Sequence, residues 1–170
     1  MSPQDVAVLL KIISYGKKPW QQKPLAEALY LSQSEISKSL ARSRYAGLLD
    51  ATGKKVQKQA LLEFLQFGIS YVFPVQPGPI VRGTPTAHSA PPLNAMIQAD
   101  HDYVWPSAKG QSRGQAIAPL YENVPKAVQN DHELHELLGL VDGIRAGRVR
   151  EKQLAVEELK KRLLLYNAQE

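Results

Sequence analysis

Three groups of residues have types and spacings that could do chemistry. Gly110-Gln111-Ser112-Arg113-Gly114 has the Gly-x-Ser-x-Gly spacing that presents a nucleophilic serine, with Asp131 and His135 downstream as acid and base. His132-Glu133-Leu134-His135 sets two imidazoles beside a carboxylate, as a zinc-binding helix does. Gln33, Ser34, Ser37, Lys38, Ser39 and Arg42 form a run of hydrogen-bonding side chains. Gln reaches adenine edges, Arg and Lys reach guanine, and Ser serves bases or phosphates.

Only the third group fits its surroundings. A nucleophile elbow needs a strand-turn-helix at the end of a large parallel sheet, and nothing before Gly110 alternates strands with helices that way. The two histidines are three residues apart, whereas a zinc helix places them four apart and needs a third ligand. Leu134, Leu137, Leu138 and Val141 take the core stripe, which leaves His132 and His135 on a solvated edge. His88 and His101 have no local partners in the sequence. There is no cysteine, which excludes disulfides, thiol catalysis and zinc fingers. No catalytic residue, cofactor or metal is expected.

The polar run lies on the second of two closely joined helices. Leu25, Ala26 and Leu29 give the first helix an apolar face. Ser32 with Glu35 three residues later forms a capping box for the second, Ile36 and Leu40 bury at i and i+4, and Gly47 supplies a left-handed stop. A preceding helix runs from about Pro3 to Tyr15 on Val6, Leu9, Leu10 and Ile13, capped by Ser2 and ended by Gly16. Trp20 is expected to pack as core. The outer face of the second helix is then free for the major groove of duplex DNA.

The order Leu-Ala-Glu-Ala-Leu-Tyr-Leu-Ser-Gln-Ser-Glu-Ile-Ser-Lys-Ser-Leu over residues 25–40, followed by Tyr45-Ala46-Gly47-Leu48-Leu49, resembles the winged helix-turn-helix bacterial regulators, the MarR-like group among them. The resemblance covers residues 5–50. It implies a sequence-specific transcriptional regulator, a repressor acting as a homodimer, since two recognition helices must meet two half-sites. Gln33, Ser34, Ser37 and Lys38 would read bases, while Arg42, Arg44, Lys54, Lys55 and Lys58 would hold phosphates. After Gly47 the winged pattern would give a short strand and a hairpin wing, which Leu48-Leu49-Asp50-Ala51-Thr52-Gly53 could begin, but beyond them the chain departs from it. Val56, Ala60, Leu61, Phe64 and Leu65 recur at helical spacing, so a helix over roughly residues 54–67 is expected in place of the wing.

Charge agrees with this placement. Residues 1–60 hold ten Lys and Arg against four Asp and Glu, whereas residues 61–125 hold three against four and residues 126–170 eight against eight. The net charge of +5 therefore belongs to the helix-turn-helix segment, where phosphate neutralisation would use it.

Beyond Gly68 the character changes. Nine of the twelve prolines lie between Pro74 and Pro125, which suits extended segments and turns. Within them Tyr71-Val72-Phe73-Pro74, Gly78, Arg82-Gly83 and Ala87 repeat as Tyr103-Val104-Trp105-Pro106, Gly110, Arg113-Gly114 and Ala118. The repeat predicts two related hairpins in a small antiparallel sheet, with Tyr and the third aromatic on one face and Val on the other. Arg82 and Arg113 take equivalent places, as turn-capping residues or as a ligand or partner site. From Asp131 onward the pattern is helical, and Arg145, Arg148 and Arg150 beside Asp142 and Glu151 read as ordinary surface pairs.

The expected class is α+β, mainly α. It divides into a DNA-binding segment over residues 1–68, a proline-rich β segment over 69–125, and a helical dimerisation or partner-binding segment over 126–170. No apolar run approaches the ~18 residues that span a bilayer, and no signal peptide is visible, so a cytoplasmic location is expected. A second reading is an antitoxin-like protein that binds a partner protein through residues 69–170 and regulates its own operon.

Overall fold

The computed structural model describes residues 1–165. Helices α1 (Pro3–Ser14), α2 (Gln22–Leu29) and α3 (Gln33–Tyr45) form the N-terminal unit, followed by α4 (Lys58–Phe67) and the single turn α5 (Ile69–Val72). Strands β1 (Ile80–Pro85), β2 (Tyr103–Pro106) and β3 (Ser112–Ala116) come next, then α6 (Val124–Val128), α7 (His132–Ala146) and α8 (Val149–Lys160), which a π-helical turn (Lys161–Leu165) extends. The class is α+β and mainly α. Residues 166–170 of the expected C-terminal segment lie outside the described residues. Among those described, no helix is long and apolar enough to cross a membrane.

One hydrophobic core runs through all three parts of the sequence. It joins Leu9 and Leu10 of α1, Leu25 and Leu29 of α2 and Ile36 of α3 to Leu61 and Leu65, Trp105, Leu137 and Leu138, and Leu159. The α1 helix is buried on nearly every side, from Asp5 to Leu10 without a break, which is why it can serve as the central post. Lys11 of α1 meets Asp131, the N-cap of α7, at 2.6 Å and ties that post to the C-terminal helices.

The middle segment departs from two hairpins. Its three strands close on one another: β1 pairs antiparallel with both β2 and β3, and β2 pairs with β3 in parallel. The first aromatic copy is no strand, because Tyr71 and Val72 belong to α5. That turn buries Ile69 completely and leaves Tyr71 86% exposed, while Phe73 packs edge-on to Phe64 at 6.3 Å. What the repeat does produce is the pairing of its two Arg-Gly halves, with Arg82 directly opposite Arg113. The expected alternation also fails in β2, where Val104 and Trp105 are both buried, since a closed barrel packed on α7 covers both faces.

The two repeated glycines explain that closure. A Cβ on Gly83 would lie 2.0 Å from the Trp105 carbonyl oxygen, and one on Gly114 would lie 2.5 Å from that of Asp102. Backbone meets backbone at both places, so no larger residue fits without parting the strands.

A buried polar knot fastens the barrel to α7. The Asp142 carboxylate accepts Thr86 Oγ1 at 2.7 Å, Trp105 Nε1 at 2.6 Å and Arg145 Nη1 at 2.9 Å. Arg145 also donates to the carbonyls of Phe73 and Ala118. The Asp142–Arg145 pair, expected at the surface, is therefore internal. Full burial pushes the Asp142 carboxyl up, against the opposing pull of Arg145 and the donors from Thr86 and Trp105.

Candidate nucleic-acid interface

The α3 helix is built as its sequence predicts. Ser32 Oγ accepts the Glu35 N–H at 3.1 Å, and the Glu35 carboxylate accepts the Ser32 N–H at 2.8 Å, completing the capping box. Gly47 adopts φ +78°, the left-handed stop. Tyr30 ends α2 at φ 55°, and its carbonyl accepts Asn123 Nδ2 at 3.0 Å, while that of Leu29 accepts the Tyr121 hydroxyl at 2.9 Å. Burial pushes the Tyr121 phenol well up, so it stays a donor. The tight turn is thus held from outside by the segment leading into α6.

Gln33, Ser34, Ser37 and Lys38 are exposed along one stripe that Ala41, Arg44 and Tyr45 continue. Among the described residues none of their side chains has a hydrogen-bond or ion-pair partner. Tyr45, 96% exposed at the end of the stripe, was not anticipated as part of this face. Two anticipated members point elsewhere. Ser39 is fully buried and donates to Asp5 Oδ1 at 2.6 Å. Arg42 sends Nε to Asp5 Oδ2 at 2.9 Å and Nη2 to Asp5 Oδ1 at 2.8 Å. These two side chains bolt α3 to α1, and Arg42 is engaged inside the protein.

Asp5 itself is fully buried and also accepts the Ser2 N–H at 2.8 Å. Burial works to raise its pKa, but the Arg42, Ser39 and Ser2 donors overcome that and hold the carboxyl below its ordinary range. The sequence marks Asp5 only as an acid in a first helical turn, and nothing local announces its pairing 37 residues away.

The place expected for a helix from residue 54 holds a short hairpin instead. Leu49 bridges Val56, and α4 starts at Lys58. Asp50 causes this: its Oδ1 accepts Thr52 Oγ1 at 2.7 Å and the N–H groups of Lys54 and Lys55 at 3.2 Å, which diverts those amides from helix formation. The same bonds, Thr52 first, hold the Asp50 carboxyl low. Lys54 and Lys55 are exposed in this turn, whereas Lys58 is half-buried as the first residue of α4.

Trp20 is half-buried and packs against the core as expected, and it also holds the hairpin. Its Nε1 donates to the Lys54 carbonyl at 3.1 Å, and the Lys54 ammonium lies 4.5 Å above the ring centre. The exposed Lys17 and Lys18 lie in the same connector, separated from it by Pro19. The α1–α2 connector and the hairpin are thereby joined through Trp20 and Lys54.

The other chemical groups have structural roles. Ser112 opens β3 opposite Gly83, which is a strand start and not a nucleophile elbow. His135 Nε2 donates to the Pro85 carbonyl at 2.7 Å and its ring leans on Trp105, so α7 grips the end of β1. His88 is buried and its Nε2 donates to the His101 carbonyl at 2.7 Å, the partner that local sequence could not show. Arg82 and Arg113 are exposed opposite one another, with no acidic partner among the described residues. No group of three or more His, Asp and Glu able to hold a metal ion exists among the described residues. No protein-family model matches the chain, and neither the curated proteins nor the solved structures compared with it include a detectable relative.

Proposed function

We propose that the protein is a sequence-specific regulator of transcription that binds duplex DNA through α3. One observation carries the reading: Gln33, Ser34, Ser37 and Lys38 form a continuous exposed stripe of unpartnered hydrogen-bonding groups on a rigidly seated helix. Such groups find partners on base edges. Arg44 on the stripe and the exposed Lys54 and Lys55 of the hairpin hold phosphates, while Arg42 supports the helix from behind. It acts as a homodimer, since two half-sites need two recognition helices, and as a repressor. Binding to DNA from upstream of the protein's own gene, measured with wild type and Lys38→Ala, tests it. Loss of sequence preference in the variant is expected.

A second reading is supported by a different surface. Phe67 is 68% exposed and Tyr71 86% exposed beside a groove walled by α8, a larger apolar display than a solvated helix pair needs. Residues 69–170 would then bind a partner protein, in an antitoxin-like arrangement with the α3 face acting on the operon. Co-purification with the product of an adjacent gene, abolished by Tyr71→Glu, distinguishes this from a regulator that acts alone.

A further inference from the structure

We propose that the cleft between the β2–β3 turn and α6–α7 binds an organic phosphate carrying an aromatic ring, the chemistry of a nucleotide. The cleft encloses about 770 Å³, within the size range of small-ligand sites. One wall is the turn with Lys109 and Gln111; the other is helical and carries Lys126, Gln129, His132 and His135. No Asp or Glu lines it. Lys109, Lys126 and His132 have no partner among the described residues, so a site with positive charge on both walls is left uncompensated. A cleft lined by one sign of charge concentrates ligands of the other.

The hydroxyls of Thr84, Ser107 and Ser112 add neutral donors for phosphate oxygens. His135 is already spent through Nε2 on the Pro85 carbonyl, which fixes its ring in the wall. Of the acids at the start of α7, neither Asp131 nor Glu133 lines the cleft, and Asp131 is occupied by Lys11 and by the Leu134 N–H. At the mouth stands Tyr30, 53% exposed, with its backbone fixed in the left-handed region by the helix turn. Its ring offers the planar apolar surface on which a base stacks.

Tyr30 is also the residue that joins α2 to α3, and its carbonyl is held by Asn123, one residue before α6. A ligand bridging Lys126 and Tyr30 would therefore act on both sides of that hydrogen bond. This makes the cleft an effector site for the α3 face, a consequence that rests on the DNA-binding reading. The binding itself does not.

Titration calorimetry of the full chain without DNA tests the site, with ADP, pyrophosphate and adenosine as probes. ADP is expected to bind, pyrophosphate to bind more weakly, and adenosine to give no heat. Lys109→Gln with Lys126→Gln should weaken ADP by roughly tenfold or more, about what two lost charge-assisted contacts give. Both side chains are exposed, so the fold persists, which an unchanged thermal midpoint verifies. Arg82→Ala with Arg113→Ala should leave ADP binding intact. Absence of ADP binding, equal binding by adenosine, or loss only in the Arg82/Arg113 variant overturns the site. If ADP binds yet no DNA does, the cleft stands and the DNA reading falls.

Discussion

Asp5 on the first helix accepts two hydrogen bonds from the Arg42 guanidinium on the third, at 2.8 and 2.9 Å, while fully buried itself. The residue that resembles a DNA contact by type is thus the bolt that seats α3 on α1. Replacing Asp5 with Ala strands a guanidinium and the Ser39 hydroxyl, and replacing Arg42 with Ala strands a buried carboxylate. Breaking a buried pair costs about 3–5 kcal/mol, and Arg42 is one-third exposed, so about 3 kcal/mol is expected for either variant. Urea unfolding measures it. DNA affinity should fall in both, although neither side chain is aimed at the DNA.

The same pair sets a pH dependence. The folded-state pKa of Asp5 is depressed, so its stabilisation is fully present above the unfolded carboxylate value near ~3.9 and is lost as pH falls through the folded value. Wild-type stability should therefore decline as pH drops below about 4. Asp5→Asn starts less stable at neutral pH and should show a shallower decline over that window, read from urea midpoints at successive pH values. An equally steep decline in the variant would assign the acid sensitivity to other carboxylates.

Trp20 provides a test of the hairpin. Trp20→Ala removes both the hydrogen bond to the Lys54 carbonyl and the surface under its ammonium. On the proposed reading, in which Lys54 contacts phosphate, the expected effect is weaker binding to all DNA sequences alike, by a few-fold, with sequence preference kept. Trp20→Phe, which keeps a ring and loses the N–H, should fall between. Anisotropy titrations on operator and scrambled duplexes measure both.

The barrel predicts intolerance at its repeated glycines. Gly83→Ala places a methyl group 2.0 Å from the Trp105 carbonyl oxygen, and Gly114→Ala places one 2.5 Å from that of Asp102. Neither obstacle is a side chain that can swing away. A loss of about 3 kcal/mol or more is expected for each, with the thermal midpoint as readout.

The parts legible in the sequence are those governed by local rules. The capping box at Ser32 and Glu35, the Gly47 stop and the exposure of Gln33, Ser34, Ser37 and Lys38 on α3 each rest on residues within one or two helical turns, and the structure has them as expected. The misplaced parts depend on distant partners. Arg42 and Ser39 look like surface residues until Asp5 is brought beside them, and Asp142–Arg145 looks like a surface pair until Thr86 and Trp105 close over it. Leu48–Gly53 could begin a hairpin by sequence, but its closure through Lys54–Val56 is read as helix because Asp50 acts through backbone amides that periodicity does not register. The repeat correctly equates Arg82 with Arg113, but Tyr71-Val72 takes a helical turn because Ile69 is drawn into the core.

The most direct measurement is equilibrium binding of the full chain to duplex DNA from upstream of its own gene, across roughly 50–300 mM salt, a range over which phosphate contacts are resolved. Engagement of Arg44, Lys54 and Lys55 with phosphates predicts a log–log salt slope of about −3 or steeper, made shallower by about one in Lys55→Ala. Lys38→Ala should lose discrimination between operator and scrambled DNA while keeping most of its weak, general binding. A flat salt response, or operator preference that survives the combined Gln33→Ala, Ser37→Ala and Lys38→Ala replacement, would contradict the assignment of α3 as the DNA-reading face.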